Sequence, residues 1–278
     1  MTILYHNTIQ IEQKTSKQWE LLLNWRDYRT FWLQFPFGRL NIIQKHDYNA
    51  DGTCIKICEN NELDISNIGF KQLLITANYV DILPNYIKLI QNTNCYLDYA
   101  KCLDLVKNLG EQLKSLERNM LATPFIDLND ILVIDEEFYY INAQRILPIK
   151  KTHIPINELY QSTNQLFSPE FKKINYLPNH LHSKSMFYSL GRLIILLLFK
   201  KCRNTIINAD NKSDNKSDDK SDNDTDNDTD MNAVSNITIK TQYSEPMQYL
   251  EQIRSTKLYW ILQRLIDPNP DNRFYLMI

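Results

Sequence analysis

Residues 184–201, KSMFYSLGRLIILLLFKK, constrain the fold more than any other stretch of the chain. At helical spacing they are apolar nearly all round. A helix of that kind is buried at the centre of a domain, so other elements must surround it. Its longest unbroken apolar run, Leu193 to Phe199, is seven residues, far short of the ~20 that span a bilayer. No membrane is therefore expected as a partner. The chain supplies 278 residues, 43% of them apolar and 23% charged. That is enough for one large domain or two small ones around a sizeable core.

Glycine narrows the possibilities further. The five glycines stand at 38, 52, 69, 110 and 191, too far apart for G-x-G-x-x-G or G-x-x-x-x-G-K-[ST]. Phosphate cradles of the Rossmann and P-loop kinds are excluded. The 29 asparagines point to an AT-rich genome and are set aside as evidence of function. Net charge is −2, which offers no bulk attraction for nucleic acid or an anionic membrane. The cysteines, at 54, 58, 95, 102 and 202, are odd in number. MTILYHNTIQIEQKTSK has no basic segment followed by a long apolar run, so no signal peptide is expected. Together these features predict free thiols in a reducing, cytoplasmic setting. Cys54 and Cys58 lack zinc spacing and read as small buried side chains.

Residues 210–230, DNKSDNKSDDKSDNDTDNDTD, carry nine aspartates against three lysines, a net −6. Nothing there can bury enough apolar surface to offset ordering, so a disordered insert is expected over 208–236. The alternating aspartates lack the glycine turn and terminal glutamate of a calcium loop. Without the insert the rest of the chain carries about +4.

On either side the periodicities predict folded elements. Residues 17–33 are helix-spaced at Trp19, Leu22, Leu23, Tyr28 and Trp32. Residues 39–58 read as a hairpin, RLNIIQKH and TCIKIC about an NADG turn. Leu73 to Tyr79 is a further strand. Residues 98–120 form an amphipathic helix through Leu103, Val106, Leu109, Leu113, Leu116 and Met120. Asp130 to Ile141 gives two short strands about an acidic turn. Residues 246–266 are helical and stop at DPNPDNR.

From about residue 98 onward this order resembles the carboxyl-terminal lobe of a eukaryotic-type protein kinase, interrupted by the insert. The family's catalytic loop reads H-R-D-L-x-x-x-N, then strand, turn, strand and D-F-G. Asp130, directly before Ile131-Leu132-Val133, falls at the metal-binding Asn. Counting back, Phe125 falls at the catalytic Asp, and Thr123 and Pro124 at the His and Arg. Asn142-Ala143-Gln144 stands for D-F-G. Ser168-Pro169-Glu170 is similar to A-P-E. Phe187-Tyr188-Ser189-Leu190-Gly191 matches D-V-W-S-L-G, with Met186 at its Asp. DPNPDNR resembles the D-P-x-x-R stretch. The resemblance implies a buried ion pair between Glu170 and Arg273. It also implies Lys56, in a V-A-I-K-like strand, and Leu132 as nucleotide contacts, and Phe37-Gly38-Arg39 as a remnant of the glycine loop. A rival alignment makes 17–33 the helix that carries the lysine's partner, Glu20, with Cys54 to Cys58 as the hinge strand.

Phosphoryl transfer needs held metal, an oriented base and a phosphate cradle. Phe125 has no proton acceptor, Asn142 is a poor metal ligand, and the cradle lacks its glycines. No catalytic residue and no metal site is therefore assigned. In the family the Asp replaced by Met186 anchors the catalytic-loop backbone, so that anchor is expected to be lost with the loop. The resemblance thus implies an α+β, protein kinase-like chain. It would have a reduced strand-containing lobe over 1–80 and a mainly helical lobe over 81–278. Such a degenerate member, a pseudokinase, would bind a protein as scaffold or allosteric partner, with no cofactor required and ATP at most a weak ligand. Two alternatives stand beside it. One is a divergent active Ser/Thr kinase with an unusual base, for which Asp127 is the candidate. The other is an unrelated α+β interaction domain. Composition fits a protist or a large DNA virus, which would place the protein in host cytoplasm or a virion.

Overall fold

The computed structural model describes residues 3–6, 8–25, 27–49, 69–92, 97–158, 160, 166–199 and 250–275. Lys56, the TCIKIC segment and the whole of 208–236 lie outside them. The described chain is mixed α+β, with four small antiparallel sheets and a set of helices.

The first sheet has five strands: β1 (Ile3–His6), β2 (Ile9–Thr15), β3 (Gln18–Asn24), β4 (Ile42–Asn49) and β5 (Gly69–Thr76), in spatial order β1-β2-β3-β5-β4. The helix expected over 17–33 is corrected here. Its first half is β3, and only Arg29–Gln34 is helical, as α1. Trp19, Leu21 and Leu23 alternate into the core, while Gln18, Glu20 and Leu22 face partly outward. Leu21-Leu22-Leu23 satisfies either period, and pairing with β2 and β5 on both flanks decides for the strand. Glu20 therefore lies on a strand, which removes the rival alignment. β4 pairs with β5, Asn49 opposite Gly69, so its described partner is not the TCIKIC segment. Phe37–Arg39 is a 3-10 turn between α1 and β4. Gly38 there meets nothing within 4 Å of an added Cβ, and Arg39 reaches over the Tyr139 ring to Glu137 and the Asn108 carbonyl. It is a packing corner rather than a phosphate loop.

Beyond the sheet come β6 (Val80–Ile82), α2 (Leu83–Asn92) and α3 (Tyr99–Arg118). Asp98 caps α3 by accepting the Lys101 N–H at 2.8 Å. Cys102, Leu105, Val106, Leu109, Leu113 and Leu116 are buried along its inner face. β7 (Leu121–Ala122) leads to β8 (Ile131–Ile134) and β9 (Glu137–Tyr140). β8 is buried at all four residues because it lies between β6 and β9. The turn after it holds Asp135 and Glu136 at φ 46° and 72°. Asp135 tolerates that region, and its carboxylate accepts the N–H groups of Asn78 and Tyr79 at 2.8 and 3.0 Å.

β10 (Leu147–Pro148) pairs with β7, and β11 (His153–Ile156) pairs with β12 (Asn179–His182), with α4 (Pro169–Lys172) between them in sequence. α5 (Ser185–Leu198) is buried on nearly every side, as its composition requires. The C-terminal helix is shorter than expected. Thr256 caps α6 (Lys257–Leu265) by accepting the Tyr259 N–H at 3.3 Å, and a separate 3-10 turn, Glu251–Ile253, precedes it.

Two glycines permit the closest helix contacts. A Cβ on Gly191 would lie 2.6 Å from Ile266 Cγ2, and one on Gly110 would run into the Tyr275 ring. Gly110→Ala should therefore destabilise the protein by about 1–3 kcal/mol through overpacking. In a Tyr275→Ala background the clash is gone, and the same substitution should stabilise by up to ~1 kcal/mol through helix propensity. Urea unfolding of the four proteins checks this. The same sign in both backgrounds refutes it.

Candidate functional site

The loop between β7 and β8 holds Phe125, Asp127 and Asp130. Asp127 opens a one-turn 3-10 helix, Leu128–Asp130, and accepts the Asn129 N–H at 3.0 Å. The Asp130 carboxylate closes the turn by accepting the Asp127 N–H at 3.1 Å. Asp130 is buried at 2% exposure. Its second oxygen accepts the Asn142 side-chain amide at 2.8 Å, and the Arg145 guanidinium pairs with the carboxylate as well. Asp130 and Asn142 are thus bonded to each other, with a cation beside them. Asn142 Oδ1 is buried with no hydrogen-bond partner. Among the described residues no three His, Cys, Asp or Glu side chains gather as a metal would require. No described helix is long and apolar enough to cross a membrane.

Phe125 is 3% exposed. Its ring centroid lies 4.7 Å from Phe167, 5.2 Å from Tyr160 and 5.8 Å from Phe171. Arg145, while holding Asp130, also lies over the Phe125 ring at 4.4 Å. Three of these rings, Tyr160, Phe167 and Phe171, line a cleft of about 240 Å³ together with Ile156, Glu158, Lys172 and Ile174. Burial, and a hydrogen bond to Glu158, push the Tyr160 phenol well above its ordinary range. Burial and the neighbouring Arg192 push Lys172 down.

The expected loss of the loop anchor is corrected. Met186 is buried and apolar, but the serines beside it bind the loop. Ser185 Oγ donates to the Pro124 carbonyl at 3.0 Å, and Ser189 Oγ accepts the Ile126 N–H at 2.9 Å. They stand four residues apart, on one face of α5. Two hydroxyls thus hold the loop backbone, one through a carbonyl and the other through an N–H. On the other side Thr123 Oγ1 donates to the Phe125 carbonyl and meets the Tyr140 hydroxyl at 3.0 Å. Gln112 exchanges two hydrogen bonds with the Tyr140 backbone. Thr8 Oγ1 reaches from the first sheet to the Ile141 carbonyl at 2.9 Å.

Glu170 and Arg273 are brought together. The guanidinium is wholly buried and meets both carboxylate oxygens, at 2.5 and 2.9 Å. It also donates to the carbonyls of Asp267 and Pro268. Ser168 caps α4, which presents Glu170. Leu132, expected at a nucleotide, is fully buried in β8 opposite Tyr139 and Ile82. Arg145 and the two serines had no assigned role in the sequence. Arg145 had a signal, a cation three residues past Asn142. The serines had only their four-residue spacing. Comparison with known proteins finds no matching family model and no matching curated protein.

Arg273→Ala should cost ~3–5 kcal/mol, because it leaves Glu170 facing an emptied buried site. Arg273→Lys should recover little of this, since an ammonium cannot reproduce the fork. Adding Glu170→Ala to Arg273→Ala should cost much less than Glu170→Ala costs alone, and additive losses in a thermal-unfolding cycle would refute the coupling. Ser189→Ala should cost ~1–3 kcal/mol by stranding the buried Ile126 N–H, read as a lower denaturant midpoint at unchanged slope.

Proposed function

We propose that this chain is a catalytically inactive, protein kinase-like protein that acts by binding another protein, as scaffold or allosteric partner. One observation carries the reading. Asp130 and Asn142, which would share a metal in an active kinase, are hydrogen-bonded to one another and closed by Arg145. Three further observations support it. Phe125 is packed in an aromatic cluster rather than presented to a hydroxyl. The third strand of the first sheet, Gln18–Asn24, has no lysine, and the helix after it, Arg29–Gln34, has no glutamate. In an active kinase those two elements supply the ion pair that positions the phosphates. The Asp127 carboxylate is engaged with Asn129 through both its backbone N–H and its side-chain amide.

Radiolabelled ATP with Mg²⁺ or Mn²⁺ should leave no more phosphate on the chain or on a general acceptor protein than it does with Asp127→Ala. Transfer that Asp127→Ala abolishes would make this an active kinase. ATP should also fail to give metal-dependent stabilisation. Even a modest site would give ~2.7 kcal/mol at a hundredfold excess over its Kd, a shift easily seen in thermal unfolding.

A further inference from the structure

We propose that the β11–β12 hairpin is a proton-operated clasp, holding one wall of the aromatic cleft while His182 is neutral and releasing it when His182 is protonated. The wall is Ile156, on β11. The register sets His153 directly opposite His182, with ring centroids 5.3 Å apart. His182 Nδ1 accepts the Lys184 N–H at 3.2 Å. That bond requires a bare lone pair on Nδ1, so the ring proton of the neutral form sits on Nε2, which faces Asp271 Oδ1 at 3.3 Å. Lys184 is the N-cap of α5, and its side chain caps none of the helix N–H groups.

A second proton can go only to Nδ1. It would turn an accepting nitrogen into a donor aimed at another donor, the Lys184 N–H. The charge also arrives near a cation. Lys184 stands two residues on, with its ammonium 3.0 Å from the Asp271 carbonyl; across the hairpin lies the His153 ring, which contacts Thr152 Oγ1 through Nδ1. The nearby anions give limited relief. Asp271 has 78% of its side chain exposed, and Glu170 is already engaged by Arg273. Burial first, then His153, hold the His182 pKa below its ordinary 6.5, with Lys184 acting the same way and Asp271 and Glu170 opposing. A histidine depressed in the folded form takes up its proton more readily once released. The clasp is therefore at full strength above about pH 6.5 and weakens as pH falls through the lower folded value.

Hydrogen exchange on the full chain, corrected for intrinsic rates, tests this at about pH 7.5 and about pH 5.5. The hairpin amides of 153–156 and 179–182 should lose protection on acidification, by up to roughly tenfold per unit by which the His182 pKa is depressed. Those of α3 should not change. His182→Asn keeps an oxygen acceptor for the Lys184 N–H but cannot titrate, so its hairpin should be insensitive to pH. Equal acid sensitivity in His182→Asn and the parent, or none in the parent, overturns the proposal. Proton NMR gives a second readout that needs no variant: an inflection of the His182 ring signal at or above about pH 6.5 also overturns it.

Discussion

A guanidinium with no exposed surface sets the terms for the C-terminal half of the molecule. Arg273 cannot discard its charge, so every element around it must supply an acceptor or a ring. α4 supplies the Glu170 carboxylate, the segment after α6 supplies two carbonyls, and α5 supplies the Tyr188 ring at 4.9 Å. Three separate stretches of chain are thereby fixed to one point. The aromatic cluster over Phe125 is built on α4, through Phe171, so its geometry follows from the same pair. A planar fork with its Nε and both terminal nitrogens engaged has one orientation, which makes this a specifying interaction as much as a stabilising one.

The loop before β8 solves a second electrostatic problem locally. A buried carboxylate there needs partners, and Asp130 finds an amide, a guanidinium and a backbone N–H within its own neighbourhood. The result is a compact knot closed by groups of the chain itself. Packing Arg145 between Asp130 and the Phe125 ring joins the knot to the aromatic cluster, so the polar and apolar parts of the site are held by one side chain.

The helices were the most legible elements in the sequence. α3 and α5 carry sustained apolar periodicity, and their burial follows it. The paired strands about Asp135 were legible because an acidic turn separates two short apolar runs. β3 was not, since three consecutive leucines fit either period and only the neighbouring strands decide between them. The Glu170–Arg273 pair was legible only through a resemblance, because 103 residues separate its members and no local pattern joins them. The serine anchors were hidden for a different reason. A hydroxyl that holds a distant loop looks, in the sequence, like any other serine on a helix.

Gly110 gives the molecule a timetable. α3 has no side chain at that point, and the Tyr275 ring occupies the space, its hydroxyl donating to the Lys107 carbonyl at 3.3 Å. During synthesis the first sheet, α3 and the three short strands after it leave the ribosome well before residue 275. Until that ring arrives, α3 carries an uncovered notch, and Glu170 lacks its cation. Domains emerging from the ribosome generally acquire structure from the N-terminal side. Here both partners lie far downstream of what they complete, so a chain extended only as far as α4 has a groove on α3 and a carboxylate without its cation.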